Sequence, residues 1–186
     1  MNKIILASSS PRRKELLEKA GIDFIIDASS IEETMNPSLE LEERLKQLAI
    51  DKAKPIHDKY KDDIVIGADT IVYFNNQIIG KAKDEQDARK ILNMLSCHMH
   101  TVDTAVAIYF QNNLYSFVDQ TDVYFKDISS MIDEYIDSNE WQGKAGAYGI
   151  QGTADIFVDH VVGDVDNVIG LPLKHVIDIL KDKGVI

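Results

Sequence analysis

Cysteine is nearly absent from this chain of 186 residues, and so are long apolar runs. Cys97 is the single cysteine, which excludes a disulfide within the chain and suits a reducing compartment. No apolar stretch approaches the roughly 20 residues of a membrane-spanning helix, and the N-terminal run at residues 4–7 is too short for a signal peptide. We therefore expect a cytoplasmic protein with no membrane partner.

Positive charge is also scarce. Lysine and arginine number 20 against 31 acidic residues, which gives a formal net charge of −11. Because a protein that binds DNA or RNA needs a basic face, this charge argues against a nucleic-acid polymer as partner. It does not exclude a small anion bound by a local group of cations. Hydrophobic residues at 45% suffice for a substantial core, and the length suits one domain or two lobes that share a core.

Apolar patterning predicts strands and helices interspersed along the chain. The predicted strands cover residues 4–7, 24–26, 64–74, 78–79, 101–110, 114–125 and 155–162. The predicted helices cover residues 11–20, 38–54, 84–96, 129–138 and a final segment that includes 173–180. Two of these strands form a long hairpin, and Asn75-Asn76 marks a second turn. The pattern predicts an α/β fold with a mixed sheet.

Helix ends carry recognisable signals. Ser10 is a favourable N-cap, and Pro11 suits the first helical position because it has no N–H to leave unpaired. Asp84 is the predicted N-cap of the third helix. Pro55 follows the second helix and is expected to end it, because proline removes a helical hydrogen bond.

The stretch SSSPRRKELL places three cations, Arg12, Arg13 and Lys14, at the start of a helix. A helix N-terminus carries partial positive charge, so each cation there costs a few tenths to about 1 kcal/mol. Either these side chains extend into water or an anion binds at this point. A strand, a serine-rich turn and a helix N-terminus form a typical phosphate-binding layout. The hydroxyl groups of residues 8–10 and the arginine guanidinium groups would supply donors.

Asp69 interrupts an otherwise apolar strand, IVIGADTIVYF. A buried carboxylate is unfavourable unless it is paired, hydrogen-bonded or metal-bound. Gly67 lets another group approach the strand closely. Near phosphate and metal, Asp69 would serve as general base for water, and the neighbouring Thr70 adds a second polar group. The alternative is a buried aspartate that caps a nearby loop.

Two lysines and a glycine-rich loop extend this hypothesis. Lys52 lies on the apolar stripe of its helix, where it either snorkels or points into a pocket. Lys81 follows Gly80, and both lysines would add cations for a triphosphate, although most lysines lie on the surface. The loop GKAGAYGIQG at residues 143–152 can place its backbone against a ligand, with Gln151 and Tyr148 touching a base. The alternative is a flexible connection.

Candidate metal ligands are sparse. Glu32 and Glu33 lie in the loop before the second helix, where either carboxylate would suit magnesium. His98 and His100 lack a third ligand, so they make a poor zinc site. Cys97 is interpreted as a small buried residue rather than a nucleophile.

Seven segments, taken in order, resemble the Maf family of nucleoside triphosphate pyrophosphatases. They are LASSSPRRKELL (6–17), EET (32–34), DKA (51–53), GADTIV (67–72), GK (80–81), GKAGAYGIQG (143–152) and NVIGLPL (167–173). The resemblance implies a single domain over residues 1–186 with a two-lobed, ITPase-like α/β fold. In such a fold an elongated mixed β-sheet is flanked by helices, and the site lies in a central cleft. It also implies a homodimer.

The resemblance further implies cleavage between the α- and β-phosphates, dependent on Mg²⁺ or Mn²⁺, with monophosphate and pyrophosphate as products. Asp69 matches the family's catalytic base. Positions that match residues governing substrate choice are Arg12, Thr70 and Gln151. Positions that match the other polar site residues are Ser8, Arg13, Glu33, Lys52 and Lys81. Glu33 and Asp69 are the expected metal contacts.

The motifs SPRR, ADT and GIQG resemble the dTTP/UTP branch of the family, which also accepts some modified pyrimidine nucleotides. The 7-methyl-GTP branch has SPWR, SDQ and a lysine-serine-glutamate segment at these places. Two positions depart from the family pattern: Ala82 replaces a proline, and Cys97 replaces a glycine. The rival interpretation is a nucleotide-binding regulator of cell division or septum formation that needs no turnover.

Overall fold

The computed structural model describes residues 2–30 and 34–186. Its strands are β1 (Ile4–Leu6), β2 (Phe24–Ile26), β3 (Ile64–Phe74), β4 (Gln77–Ile79), β5 (Met99–Phe110), β6 (Asn113–Phe125) and β7 (Val158–Val162). Its α-helices are α1 (Pro11–Lys19), α2 (Leu41–Lys59), α3 (Glu85–Leu95), α4 (Ile132–Asp137), α5 (Val165–Ile169) and α6 (Leu173–Asp182). A 3₁₀ helix at Thr153–Phe157 replaces the start of the last predicted strand. Within the described ranges no helix is long and apolar enough to cross a bilayer.

The strands form one mixed sheet in the order β2-β1-β3-β5-β6-β7, with β4 paired to β3. Strand β1 lies between β2 and β3 and runs parallel to both. By contrast, β4 is antiparallel to β3, and β7 is antiparallel to β6. The predicted α/β class with a mixed sheet is confirmed.

The chain divides into two compact units. The first comprises Met1–Asp69, Thr104–Asp119 and Gly170–Ile186, and the second comprises Thr70–Asp103 and Gln120–Ile169. Fully buried side chains of the first unit come from β1, α1, α2 and β3, and include Ile5, Leu6, Leu17, Leu48 and Ile66. The core of the second unit includes Leu92, Leu95, Val102, Phe125 and Phe157.

The predicted end of α2 is wrong. The helix continues through Pro55 to Lys59, although proline inside a helix costs about 3 kcal/mol. Its buried stripe continues as well, since Ala53 and Ile56 are 0% and 4% exposed on either side of the proline. Burial of this apolar face offsets the lost hydrogen bond, and Pro55 itself faces solvent.

Local signals at turns and caps agree with the structure. Asn75 and Asn76 both adopt positive φ, 49° and 60°, as a two-residue hairpin turn requires. The Asp84 carboxylate accepts a hydrogen bond from the backbone N–H of Asp87 at 2.8 Å, which confirms it as the N-cap of α3. Ser10 occupies the N-cap position of α1, but its side chain makes no capping hydrogen bond. Cys97 is exposed, so the expectation of a buried thiol is wrong.

Candidate active site

The start of α1 is tied to the first unit through Arg13. Its Nε donates to the carbonyl oxygen of Gly170 at 2.7 Å, and its Nη1 donates to the hydroxyl oxygen of Ser8 at 3.0 Å. The N–H of Ser10 donates to the same hydroxyl oxygen at 3.3 Å. Two segments singled out in the sequence, LASSSPRRKELL and NVIGLPL, therefore meet through this guanidinium group.

The N-terminus of α1 has the electrostatic character expected from its sequence. Its first turn contains no acidic residue, and the Ser10 side chain caps none of its N–H groups. Arg12 is half-buried at this end. Lys14 is exposed and lies 3.5 Å from Glu18, one turn further along the helix. The first turn of this helix thus contains two arginines and a lysine and no carboxylate.

Lys52 and Asp69 form an ion pair between α2 and β3. The Nζ of Lys52 contacts Oδ1 of Asp69, and the two side chains are only 18% and 10% exposed. The pair answers the question raised by a carboxylate in an apolar strand, because a buried charge needs a partner. The alternative, an aspartate that caps a loop, is not what this contact shows.

Gly67 explains how α2 comes close enough for this contact. A Cβ atom at Gly67 would lie 2.7 Å from the carbonyl oxygen of Ala49 and 2.8 Å from Cβ of Ala53, both on α2. Such distances are too short for real carbon contacts, so only glycine permits this packing. The close approach expected at Gly67 is made by the helix that carries Lys52.

The second unit holds three of the predicted site residues, Thr70, Lys81 and Gln151. Lys81 pairs with Ala145 in an isolated antiparallel bridge, and the N–H of Gly146 donates to the carbonyl oxygen of Gly80 at 3.1 Å. The segments GK (80–81) and GKAGAYGIQG are therefore joined through their backbones. Lys81 and Gln151 are exposed, and Thr70 is half-buried.

His100 contacts the glycine-rich loop through Tyr148. Its Nε2 shares a hydrogen bond of 2.7 Å with the hydroxyl of Tyr148, and both rings also pack against Phe125. Burial lowers the pKa of His100 to about 4 and raises the pKa of the Tyr148 hydroxyl. The tyrosine expected to touch a base is buried in the core instead. In the sequence, His100 stood out only as one of two histidines that make a poor zinc site. No sequence signal indicated Tyr148 as its partner.

Asp103 on β5 is a buried carboxyl that the sequence did not single out. It is 7% exposed, and its Oδ1 has no hydrogen-bond partner within the part of the chain that the structure describes. Burial and the negative charge of Asp122 on β6 raise the pKa of Asp103 to about 6. The charge pattern VDTAVA within an apolar strand was the available signal.

The metal prediction rests on one described residue. Glu32 and Glu33 lie outside the residues that the structure describes. Among the described side chains, no three from histidine, cysteine, aspartate and glutamate cluster as a metal site would require. Asp69 provides a carboxylate, the oxygen donor that Mg²⁺ and Mn²⁺ prefer. Its Oδ1 contacts the Nζ of Lys52.

Comparisons with known proteins match nearly the whole chain. A family model described as Maf-like protein matches residues 3–183. A protein of Geobacillus sp. (strain WCH70) named dTTP/UTP pyrophosphatase is 46% identical over 185 residues, covering 99% of this chain and 100% of that protein. A Bacillus cereus (strain ZK / E33L) protein of the same name is 44% identical over 182 residues, covering 97% of this chain and 95% of that protein.

One solved structure supports the fold. A HAM1 protein from Coxiella burnetii superposes with a TM-score of 0.54 at 17% sequence identity, covering 98% of this chain and 100% of that one. At this identity the likeness extends to the architecture alone. It agrees with the α/β fold and mixed sheet that the sequence resemblance implied.

Proposed function

The chain belongs to the Maf family, and we propose that it hydrolyses dTTP and UTP to the nucleoside monophosphate and pyrophosphate. The observation that carries this proposal is the full-length similarity to relatives named dTTP/UTP pyrophosphatase, at 44% and 46% identity. Modified pyrimidine nucleoside triphosphates fall in the same substrate class, which suits a house-cleaning role in nucleotide metabolism.

The triphosphate would bind at the N-terminus of α1. The amide groups there and the hydroxyl of Ser8 donate hydrogen bonds, and Arg12 and Arg13 supply positive charge. Arg13 also holds Ser8 and the Gly170 carbonyl, so it fixes the shape of this turn as well as its charge. A bound polyphosphate offsets the unfavourable crowding of cations at a positive helix end.

Asp69 would take the proton from the attacking water. Its carboxylate contacts the ammonium group of Lys52, which fixes the position of the side chain that would accept the proton. Burial of the pair keeps bulk water from competing for these hydrogen bonds. Lys52 and Lys81 would contribute the remaining positive charge toward the phosphates.

A divalent cation, Mg²⁺ or Mn²⁺, would be held by Glu33 and Asp69. When bound, such an ion neutralises phosphate charge and lowers the pKa of a coordinated water. The arginines and lysines named above would orient the phosphates, and Lys52 would hold Asp69, the proton acceptor, in place.

Arg12, Thr70 and Gln151 would select the base. Gln151 offers one acceptor and two donors, which suits the edge of a pyrimidine. We further propose that the protein acts in the cytoplasm as a homodimer, as the family resemblance implies. Light scattering of the purified protein tests the dimer by its mass.

The test is a panel of nucleoside triphosphates incubated with the protein and Mg²⁺ or Mn²⁺. We expect pyrophosphate and monophosphate in equal amounts from dTTP and UTP, and much slower release from ATP and GTP. Orthophosphate and a nucleoside diphosphate as products would contradict cleavage between the α- and β-phosphates. A regulator that only binds nucleotides would release no pyrophosphate from any member of the panel.

A further inference from the structure

Glu140 is held in place on both sides by its own neighbours. It follows α4, and its N–H donates to the hydroxyl oxygen of Ser138 at 3.2 Å. The Nζ of Lys144 donates to its carbonyl oxygen. The next residue, Trp141, is 6% exposed and belongs to the core of the second unit. These contacts hold the backbone of Glu140 in place. Its side chain, which is half-buried, therefore extends from a fixed Cα position.

The carboxylate of Glu140 holds the segment that follows Gln151. Its Oε2 accepts a hydrogen bond from the N–H of Thr153 at 3.0 Å. A Cβ atom at Gly152 would lie 2.2 Å from the same oxygen. The backbone conformation of Gly152, with φ −103° and ψ −155°, is one that residues other than glycine can adopt. A side chain at residue 152 would therefore have to displace the Glu140 carboxylate from this position.

The segment that precedes Gln151 is held as well. A Cβ atom at Gly149 would lie 2.9 Å from Cε of Lys144, so the lysine stem lies against this glycine. The N–H of Gly152 donates to the carbonyl oxygen of Gly149 at 3.1 Å, which closes a turn around Gln151. Both glycines thus face the protein's own side chains, and the exposed Gln151 sits at the turn between them.

We propose that Glu140 is a positioning residue that fixes the orientation of Gln151 and thereby the choice of nucleotide base. The inference rests on the proposed function, in which Gln151 contacts the base. Glu140 acts through the backbone of Thr153 and Gly152 and not by touching the substrate. Because a misplacement of about 1 Å at a binding group changes rates by up to about 100-fold, loosening this turn should alter selectivity.

The experiment compares Glu140→Ala, Glu140→Gln and Gly152→Ala with the unaltered protein. The readout is selectivity, defined as kcat/KM for UTP divided by kcat/KM for GTP, together with the thermal unfolding midpoint. Glu134→Ala is the matched control, since it removes an exposed carboxylate on α4. We expect Glu140→Ala to lower selectivity roughly 10-fold or more. Glu140→Gln keeps an oxygen acceptor for the Thr153 N–H, so it should retain most of the selectivity, and the control should retain all of it.

Two double variants test the route of the effect. In a Gln151→Ala background, Glu140→Ala should cause no further change in selectivity, because its effect passes through Gln151. Gly152→Ala alone should lower selectivity, since its methyl group displaces the carboxylate. Combined with Glu140→Ala, it should lower selectivity no further than Glu140→Ala does alone, because the obstructing carboxylate is gone.

The outcomes separate this inference from the proposed function. Should the unaltered protein release no pyrophosphate from UTP or dTTP, the proposed function fails and this inference fails with it. An active protein whose selectivity is unchanged by Glu140→Ala would overturn the inference alone, even if the unfolding midpoint falls. If Glu140→Ala does not fold, unchanged selectivity in Gly152→Ala would overturn it.

Discussion

Lys52 on α2 contacts the carboxylate of Asp69 on β3, and the two side chains are 18% and 10% exposed. Gly67 makes this contact possible, because any larger residue would collide with Ala49 and Ala53 on the same helix. The pair therefore depends on one glycine, placed two residues before the aspartate.

Lys52→Met is expected to destabilise the protein by about 3 kcal/mol, because it leaves a buried carboxylate without its partner. Activity should fall as well. Urea denaturation measures the free energy of unfolding. Lys54→Met is the control, since Lys54 is half exposed and pairs with Asp58 at the surface. Equal, small effects of the two variants would show that the buried pair contributes no more than a surface one.

Asp103 should make stability depend on pH in an unusual direction. Burial and Asp122 raise its pKa to about 6 in the folded protein, from the ordinary value of 3.8 that applies to the unfolded chain. The folded state therefore binds the proton more tightly. The resulting stabilisation is fully present below pH 3.8 and is lost as the pH rises through 6. Between pH 4 and pH 7.5 the unaltered protein should therefore lose up to about 3 kcal/mol of unfolding free energy through this group. The Asp103→Asn variant has no such group and should not show this loss.

Urea denaturation at pH 4, 5, 6 and 7.5 measures this difference. Asp122→Asn is the companion variant: it removes the neighbouring negative charge, so it should reproduce part of the effect. Identical pH profiles for the Asp103→Asn variant and the unaltered protein would rule out a buried, proton-holding carboxyl.

Cys97 adopts a backbone conformation that favours glycine. Its φ is +61°, and it follows Ser96, the C-cap of α3, at a position where the resemblance expects a glycine. Left-handed backbone costs a non-glycine residue roughly 1 kcal/mol, so Cys97→Gly is expected to stabilise the protein by about 0.5 kcal/mol after the extra entropy of the unfolded glycine. Cys97→Ala keeps the strain and should bring no gain. A glycine variant no more stable than the alanine variant would contradict this account.

Local signals predicted most of the fold, because they act within a few residues. The bounds of β2 and β3, the Asn75-Asn76 turn and the Asp84 cap all agree with the structure. Pro55 shows the limit of such signals. Its effect on the helix depended on how much apolar surface lay beyond it, which tertiary packing decides.

The partners of the candidate site residues were less predictable. The sequence singled out Lys52 and Asp69 separately, but their contact depends on how α2 lies on β3. The glycines of GKAGAYGIQG suggested a backbone facing a ligand. At Gly149 and Gly152 the space is taken by Lys144 and Glu140 instead. Such long-range pairings leave no periodic trace in a single sequence.

Metal removal is expected to abolish turnover. Treatment with EDTA, followed by gel filtration, should eliminate pyrophosphate release from dTTP, and added Mg²⁺ or Mn²⁺ should restore it. Glu33→Gln should raise the metal concentration needed for half-maximal rate if Glu33 is the ligand proposed above, because a neutral amide binds a divalent ion less tightly than a carboxylate. Glu43→Gln, on the exposed part of α2, should leave that concentration unchanged. Full activity in the chelated protein would exclude a metal requirement.

The most direct test of the central claim is Asp69→Asn. The variant keeps the shape of the side chain but cannot accept a proton, so kcat for dTTP should fall roughly 10²- to 10⁴-fold. Nucleotide affinity, measured by calorimetry with a non-hydrolysable dTTP analogue, should change little. Asp62→Asn, at an exposed position before β3, serves as the control and should keep full activity. If Asp69→Asn retains most of its rate, Asp69 is not the general base and the proposed mechanism is wrong.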